Sequence, residues 1–384
     1  MAATSQMKRV GVIGGGQLAW MMADGAEALG IELSVQTPSS TDPACAIAHK
    51  TFLGSIDDAS VTAKMAQHCD LITFENEFID LAALRQLEAQ GTQFYPQLDC
   101  LAPLLDKYDQ RQFYDRLGLP SPPFATLQSK ANLDSLPQEV AKVCLPLVLK
   151  TRRHGYDGQG TFVLHTAGAV ANTWERLSYQ PVLLEAFVDF EKELAVMVAR
   201  SRSGEVAVYP VVETQQIDQV CRRVTAPAAL EEKVASEVRA IATQLANNLG
   251  IVGIFGIELF LRGDSVLINE TAPRTHNSGH YTLDACVTSQ FEQQLRAVCG
   301  LPLGSTALTH PGAVMVNLLG TENCSDEVAR RVAISRIPDA HLYWYGKEKS
   351  RVGRKMGHVT ILTDRPNDDA AACALIGQVE KLWY

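Results

Sequence analysis

Nothing in this chain of 384 residues approaches the run of about 18 apolar residues that a membrane-spanning helix needs, so no such span is expected. The opening residues, MAATSQMKRV, lack the apolar core of a signal peptide, and the folded part is expected to begin near Met7. Basic residues are the minority, 34 against 43 acidic ones, for a formal charge of −9. That balance argues against nucleic acid or an anionic membrane surface as the main partner, while leaving room for a local basic cluster around a phosphate. There is no C-x-x-C pair, and the nine cysteines are an odd number scattered between Cys45 and Cys373. A disulfide framework or zinc site is therefore not expected, and the thiols are read as reduced in a cytoplasmic protein. Internal repeats and low-complexity segments are absent as well.

What is present is a 46% hydrophobic chain, long enough for two or three domains. Residues 8–96 alternate strands (RVGVIG, ELSVQT, CDLITFE, TQFYP) with helical spacing (QLAWMMADGAEALG, LAALRQLEAQG), which predicts βαβ units and a parallel sheet. A polar amphipathic helix from Asp106 and a stiff connector, Pro120 to Pro123, lead into the strands PLVLKT, GTFVL, PVLLEAFV and KELAVMVA, which suit an antiparallel sheet. A long helix is expected from Pro227 to Gly250, followed by two strands around an RGD turn. From residue 312 three more strands and a final helix suggest a small β-rich tail. The predicted boundaries are 1–105 for the βαβ domain, 106–305 for the central domain with a lid at about 124–190, and 306–384 for the C-terminal domain.

Five constellations carry candidate chemistry. In KRVGVIGGGQLA, Gly14, Gly16 and Ala19 fit the G-x-G-x-x-G/A fingerprint of dinucleotide-binding folds. The second strand nevertheless ends Val35-Gln36-Thr37-Pro38, without the carboxylate that would hold a nicotinamide dinucleotide's ribose. NAD is therefore not expected, and the loop is read as an anion-facing helix start or as a structural turn. In LVLKTRRHGYDGQGTFVL, Lys150 precedes glycines at 155, 158 and 160, the composition of a phosphate-covering loop or of an ordinary glycine hairpin. Glu258 and Glu270 lie on the two strands of the RGD hairpin. A three-residue loop, Gly263 to Ser265, would make them face each other and, with Asn269, hold a hard cation such as Mg²⁺; two glutamates on a solvated face are the alternative. The loop after Glu270 crowds Arg274, His276, Asn277 and His280, which suits an anion-positioning arginine beside a histidine, or a helix-capping loop. Lys347, Lys349, Arg351, Arg354 and Lys355 form either a solvated basic edge or a phosphate clamp.

In order, GGGQL, TFENEF (73–78), RRHGYDGQG (152–160), NETAPRTHNSGH (269–280) and YGKEKSRVGRKMGH (345–358) resemble the ATP-grasp superfamily and, within it, the N5-carboxyaminoimidazole ribonucleotide synthetases. The resemblance runs from about residue 8 to residue 363. It implies an α/β and α+β protein: an ATP-grasp fold with an N-terminal βαβ (pre-ATP-grasp, Rossmann-like) domain and a small C-terminal β-rich domain. It also implies ATP- and bicarbonate-dependent carboxylation of 5-aminoimidazole ribonucleotide through carboxyphosphate, with Mg²⁺ and without biotin, in a cytoplasmic homodimer. Another ATP-grasp carboxylase or ligase is the alternative.

By the same resemblance Lys107, Lys150, Gly155, Tyr156, Asp157, Gly158, Gln159 and Gly160 would hold the ATP phosphates. Glu185, Ala186, Phe187 and Val188 would read the adenine, Glu193 would hold the ribose, and Gln216 would also belong to the ATP site. Glu258 and Glu270 would bind the metal next to Asn269, and Arg274 and His276 would hold bicarbonate. Gln17, Leu18, Glu75, Tyr156, Arg274, Lys347 and Arg354 would face the ribonucleotide. The sequence departs from the family's usual residues at Trp20, Gln159, Gln216 and Ala272.

Overall fold

Apolar residues of the sequence sort into three sheets. A computed structural model describes residues 7–153, 155, 160–321, 326–364 and 369–384. In the first sheet β1 (Lys8–Ile13), β2 (Ile31–Thr37), β3 (Lys50–Leu53) and β4 (Leu71–Phe74) pair in parallel in the order β3-β2-β1-β4. Both β3 and the helix Ala59–Ala66 go beyond the sequence expectation. TQFYP, expected as a strand, contributes only an isolated bridge between Ile72 and Phe94.

The second sheet is antiparallel, with order β5-β8-β6-β7: β5 (Phe124–Leu127), β6 (Leu147–Thr151), β7 (Thr161–Leu164) and β8 (Val182–Ala186). Helices Leu136–Val143 and Ala167–Arg176 cover it, burying Val140, Val170 and Trp174 against Leu147, Leu149 and Leu184.

The third sheet contains β9 (Lys192–Arg200), β10 (Val206–Val208), β11 (Val212–Ile217), β12 (Val220–Ala226), β13 (Gly253–Arg262), β14 (Ser265–Ala272), β15 (Gly312–Leu319), β16 (Ala340–Trp344) and β17 (Lys355–Thr363). Its order is β14-β13-β9-β11-β12-β15-β17-β16, with β10 pairing to β9. The strands of the C-terminal tail thus extend the central sheet, through β12 on β15, instead of forming a separate one. The long helix runs Glu232–Leu249 and closes on Gly250 at φ 65°, the left-handed turn that favours glycine. It starts five residues after Pro227, and Ala228 between them is tied to the sheet edge, its N–H donating to the Val211 carbonyl at 2.8 Å. Its buried stripe, Val234, Val238, Ile241, Leu245 and Leu249, packs on Leu194, Val196, Phe255 and Ile257.

Helix Gln290–Cys299 joins the first and third sheets. Phe291, Leu295 and Val298 enter the core formed by Val10, Leu18 and Val35, which Tyr345 of the C-terminal region also enters. Gln294 stitches the join, accepting from Ile254 N–H and donating to Thr73 Oγ1 at 2.7 Å. The loops that carry the candidate site residues meet at this junction.

Candidate active site

One feature of the β13–β14 hairpin brings the two glutamates together. Its turn has two residues, Gly263 and Asp264, with Arg262 opposite Ser265. In an unbroken ladder that register would set Glu258 against Asn269 and turn Glu270 to the other face. A bulge between Glu258 and Leu259 on one side takes Asn269 out of the pairing, so Glu258 faces Glu270. The facing pair expected from a three-residue loop is thus produced by a shorter loop and a bulge. The freed Asn269 side chain bridges the neighbours: its Nδ2 donates to Glu258 Oε2 at 3.2 Å and its Oδ1 accepts from Lys150 Nζ at 3.0 Å.

Burial, followed by the charge of Glu270, pushes Glu258 up to about 6. Burial acts the same way on Glu270, but Lys107, Lys150 and Arg111 outweigh it and lower its pKa. Lys107, the first residue of helix Lys107–Arg116, donates directly to the Glu270 carboxylate. Glu193 projects from β9 on the same face, since it pairs with Phe260, two residues from Glu258. Burial first and Glu258 second raise it to about 7, against a stabilising bond from the Gln216 amide. Two facing carboxylates are hard-oxygen donors that suit Mg²⁺ shared with phosphates, with the Asn269 oxygen next to them on Lys150.

A second centre lies on the second sheet. Lys150 on β6 and Glu185 on β8 are diagonal neighbours on one face, 2.6 Å apart, and Arg111 reaches the other oxygen of Glu185. All three residues are buried. Desolvation would raise Glu185, but the two cations win and draw it down to about 2. Arg111 also donates to the Asn269 carbonyl, so the triad braces the bulge. The Glu185 side chain is therefore a structural counter-ion. Within the segment read as an adenine hinge, the Ala186 and Phe187 amides donate to Pro123 and Pro146, and the Phe187 ring is exposed. Gly155 borders the adjoining cleft together with Lys107, Arg152, Glu270 and Glu77. Gly160 has φ 80°, with Thr151 against the position a Cβ would take. Tyr156, Asp157, Gly158 and Gln159 lie outside the described residues.

The loop after β14 carries Arg274 and His276. Arg274 forms a fork with Glu77, Nε to Oε2 at 2.6 Å and Nη2 to Oε1 at 3.2 Å, while its Nη1 donates to the Thr275 carbonyl at 3.0 Å. His276 lies 3.4 Å from Glu258 and is fixed by Ser278 on Nδ1 and by Gln290 on both of its backbone groups. Burial, then Arg274 and Lys355, lower it to about 4, so it is a neutral imidazole near pH 7. Behind it, His280 and His358 are wholly buried with ring centres 4.9 Å apart. Tyr345 Oη meets His358 Nδ1 at 2.8 Å.

The glycine loop departs from expectation. The backbone N–H groups of Gly16 and Leu18 point to Glu75, at 2.6 and 3.1 Å, so the chain's own carboxylate takes the anion seat at that helix start. Gly14 and Gly16 are glycines because a Cβ at either would collide with Glu75. The Leu18 side chain is in the core, which leaves Gln17 as the half-buried side chain of the turn. In the basic C-terminal loop Lys347 donates to the Lys355 carbonyl at 2.8 Å and Arg354 to the Lys349 carbonyl at 2.6 Å. Lys355 is the member of that cluster whose charge reaches Glu258 and His276.

Sequence reasoning missed Arg111, Glu77 and Lys355. Glu77 was inside a quoted motif and Lys355 inside the basic cluster. Arg111 follows Lys107 by one helical turn, in a helix whose polar composition gives no sign that this charge is buried.

Comparison with known proteins gives the family. The ribonucleotide synthetase preATP-grasp domain family matches residues 7–103, the ATP-grasp domain family residues 112–291, and the phosphoribosylaminoimidazole carboxylase C-terminal domain family residues 313–372. An N5-carboxyaminoimidazole ribonucleotide synthase of Synechococcus elongatus is 53% identical over 99% of this chain and 97% of its own. The crystal structure of a carboxyaminoimidazole ribonucleotide synthase from Aspergillus clavatus complexed with ATP superposes with a TM-score of 0.90 at 30% identity, covering 98% of this chain and 99% of that one. Another structure from that organism, in complex with ADP and 5-aminoimidazole ribonucleotide, gives 0.89 at 29% identity over the same shares.

Proposed function

The chain belongs to the N5-carboxyaminoimidazole ribonucleotide synthase family of ATP-grasp enzymes, and we propose on that footing that it carboxylates 5-aminoimidazole ribonucleotide with ATP and bicarbonate, in de novo purine biosynthesis. A bicarbonate oxygen attacks the γ-phosphorus of ATP, ADP leaves, and carboxyphosphate forms. The exocyclic amine of the ribonucleotide then attacks the carboxyl carbon, or the CO₂ released from it. Inorganic phosphate departs and the nitrogen loses a proton, giving N5-carboxyaminoimidazole ribonucleotide.

The observation that carries this reading is the convergence of Lys107, Lys150 and the facing Glu258–Glu270 pair beside Arg274 and His276. Phosphoryl transfer is chiefly positioning and charge neutralisation. Lys107, Lys150 and the loop from Gly155 to Gly160 hold the ATP phosphates. The base edge falls to the Val188 amide, with Phe187 against its ring, and the ribose hydroxyls to Glu193 beside Gln216. Glu258 and Glu270, with Asn269, hold Mg²⁺, which when bound neutralises phosphate charge. Arg274 and neutral His276 hold bicarbonate, the arginine by charge and the imidazole by a hydrogen bond. Lys347 and Arg354 clamp the phosphate of the ribonucleotide, and Gln17, the Leu18 backbone, Glu75 and Tyr156 face its imidazole side. Neither biotin nor NAD has a part in this chemistry. The working form is a cytoplasmic homodimer. No helix among the described residues is long and apolar enough to cross a membrane.

The test is ADP release with ATP, Mg²⁺, bicarbonate and 5-aminoimidazole ribonucleotide, repeated with Glu270→Ala. Release that ignores the ribonucleotide favours another ATP-grasp ligase. Undiminished activity in the variant removes the metal assignment.

A further inference from the structure

Arg274 lies in the loop after β14, and Glu77, which grips it, comes from the loop after β4 in a different sheet, 197 residues away in sequence. The two side chains keep only 19% and 20% of their surface exposed. A guanidinium has five N–H donors in a fixed fork. Glu77 takes one from Nε and one from Nη2, and the Thr275 carbonyl takes one from Nη1. Among the described residues the other two N–H groups have no acceptor, and two is the number a planar carboxylate or bicarbonate accepts from one arginine.

Arginine is a long side chain with much rotamer freedom, which a ligand must otherwise remove on binding. Glu77 removes it beforehand and fixes the plane of the fork from the N-terminal domain. It does so at some cost in attraction, since its own negative charge lies close to an incoming anion. An interaction that lowers net charge while defining orientation acts more on the reacting geometry than on simple anion capture.

We propose that Glu77 is a positioning residue, setting through Arg274 the orientation of bicarbonate and of the carboxyl group of carboxyphosphate. This rests on the assignment of Arg274 as the bicarbonate-holding residue. Docking of the N-terminal domain thereby completes the bicarbonate site in the central domain.

The experiment compares Glu77→Gln, Glu77→Asp and Arg274→Lys in steady-state kinetics for each substrate, with a melting temperature for each. Glutamine keeps the shape but turns an amide N–H₂ toward the guanidinium. The expected result for Glu77→Gln is a fall of about 10²-fold in kcat/KM for bicarbonate, mostly in kcat, because a misplacement near 1 Å costs on that order. KM for ATP should stay within twofold, and Glu77→Asp should recover part of the loss. Kinetics within threefold of the parent in Glu77→Gln, or a similar rise in every KM together with a lowered melting temperature, would overturn the proposal. Arg274→Lys separates the two levels. If it leaves bicarbonate kinetics intact, the assignment of Arg274 fails. If it impairs them while Glu77→Gln does not, only the positioning role fails.

Discussion

Replacing Glu185 by glutamine removes one charge and almost no volume from the Lys150–Glu185–Arg111 triad. The carboxyl of Glu185 is held at about 2, against an ordinary value of 4.5. At about 1.4 kcal/mol per pKa unit, the folded state gains roughly 3 kcal/mol at pH 7 from keeping it ionised. Because the folded value lies below the unfolded one, this contribution is complete above about pH 4.5 and disappears as the pH falls toward 2. Less than half of it remains near pH 3. For a structural unit of about 200 residues, 1 kcal/mol moves the melting temperature by roughly 2–4 °C, so Glu185→Gln should melt roughly 6–12 °C below the parent at neutral pH. Calorimetric melts at pH 7, 5 and 3.5 provide the assay, and the gap should narrow on acidification. A variant melting within about 2 °C of the parent at pH 7, or a deficit that is the same at pH 3.5, would refute the reasoning.

Gly16→Ala places a Cβ against the Glu75 carboxylate and should cost about 1–3 kcal/mol in urea unfolding, much of it relieved when Glu75→Ala is added. Burial holds His358 at about 3, below its ordinary 6.5, so the unfolded chain binds a proton that the folded one refuses. The parent should therefore lose about 3 kcal/mol relative to His358→Phe between pH 7 and pH 4, with no change above about 7, as read from paired denaturation curves. Lys107→Met leaves Glu270 without its cation and takes a donor from the phosphates. A fall of at least about tenfold in kcat/KM for ATP is expected, and an unchanged value would remove Lys107 from the nucleotide site.

Strong local signals in the sequence survive in the structure, and the features that depend on distant partners do not show in it. The strand and glycine turn at residues 8–16 follow from spacing alone, whereas the single helix expected after them is broken into Gln17–Trp20 and Ala23–Leu29. What fills the turn does not, because Glu75 arrives from β4, 59 residues later. Pro227 reads as a helix start because proline suits that position, yet the Ala228–Val211 bond ties the next residue back to the sheet edge and the helix begins only at Glu232. Arg111 carried no sign of burial, since a charged residue is buried only when partners as far off as Glu185 and Asn269 meet it. The facing of Glu258 and Glu270 was legible in outcome and not in cause. Alternation shows which residues share a face, while the choice of Asn269 as the unpaired residue depends on Lys150 and Arg111 binding its amide and carbonyl.

That unpaired asparagine makes the hairpin sensitive to odd and even changes of length. Adding one residue at the Gly263–Asp264 tip, or removing one at position 269, reverses the side on which Glu270 emerges. Making both changes together restores it, although without the amide that joins Glu258 to Lys150. In the descent of this protein, insertions and deletions in the hairpin should therefore occur as compensating pairs. A related sequence with a three-residue tip and no residue at the asparagine position would keep both carboxylates inward by a different count.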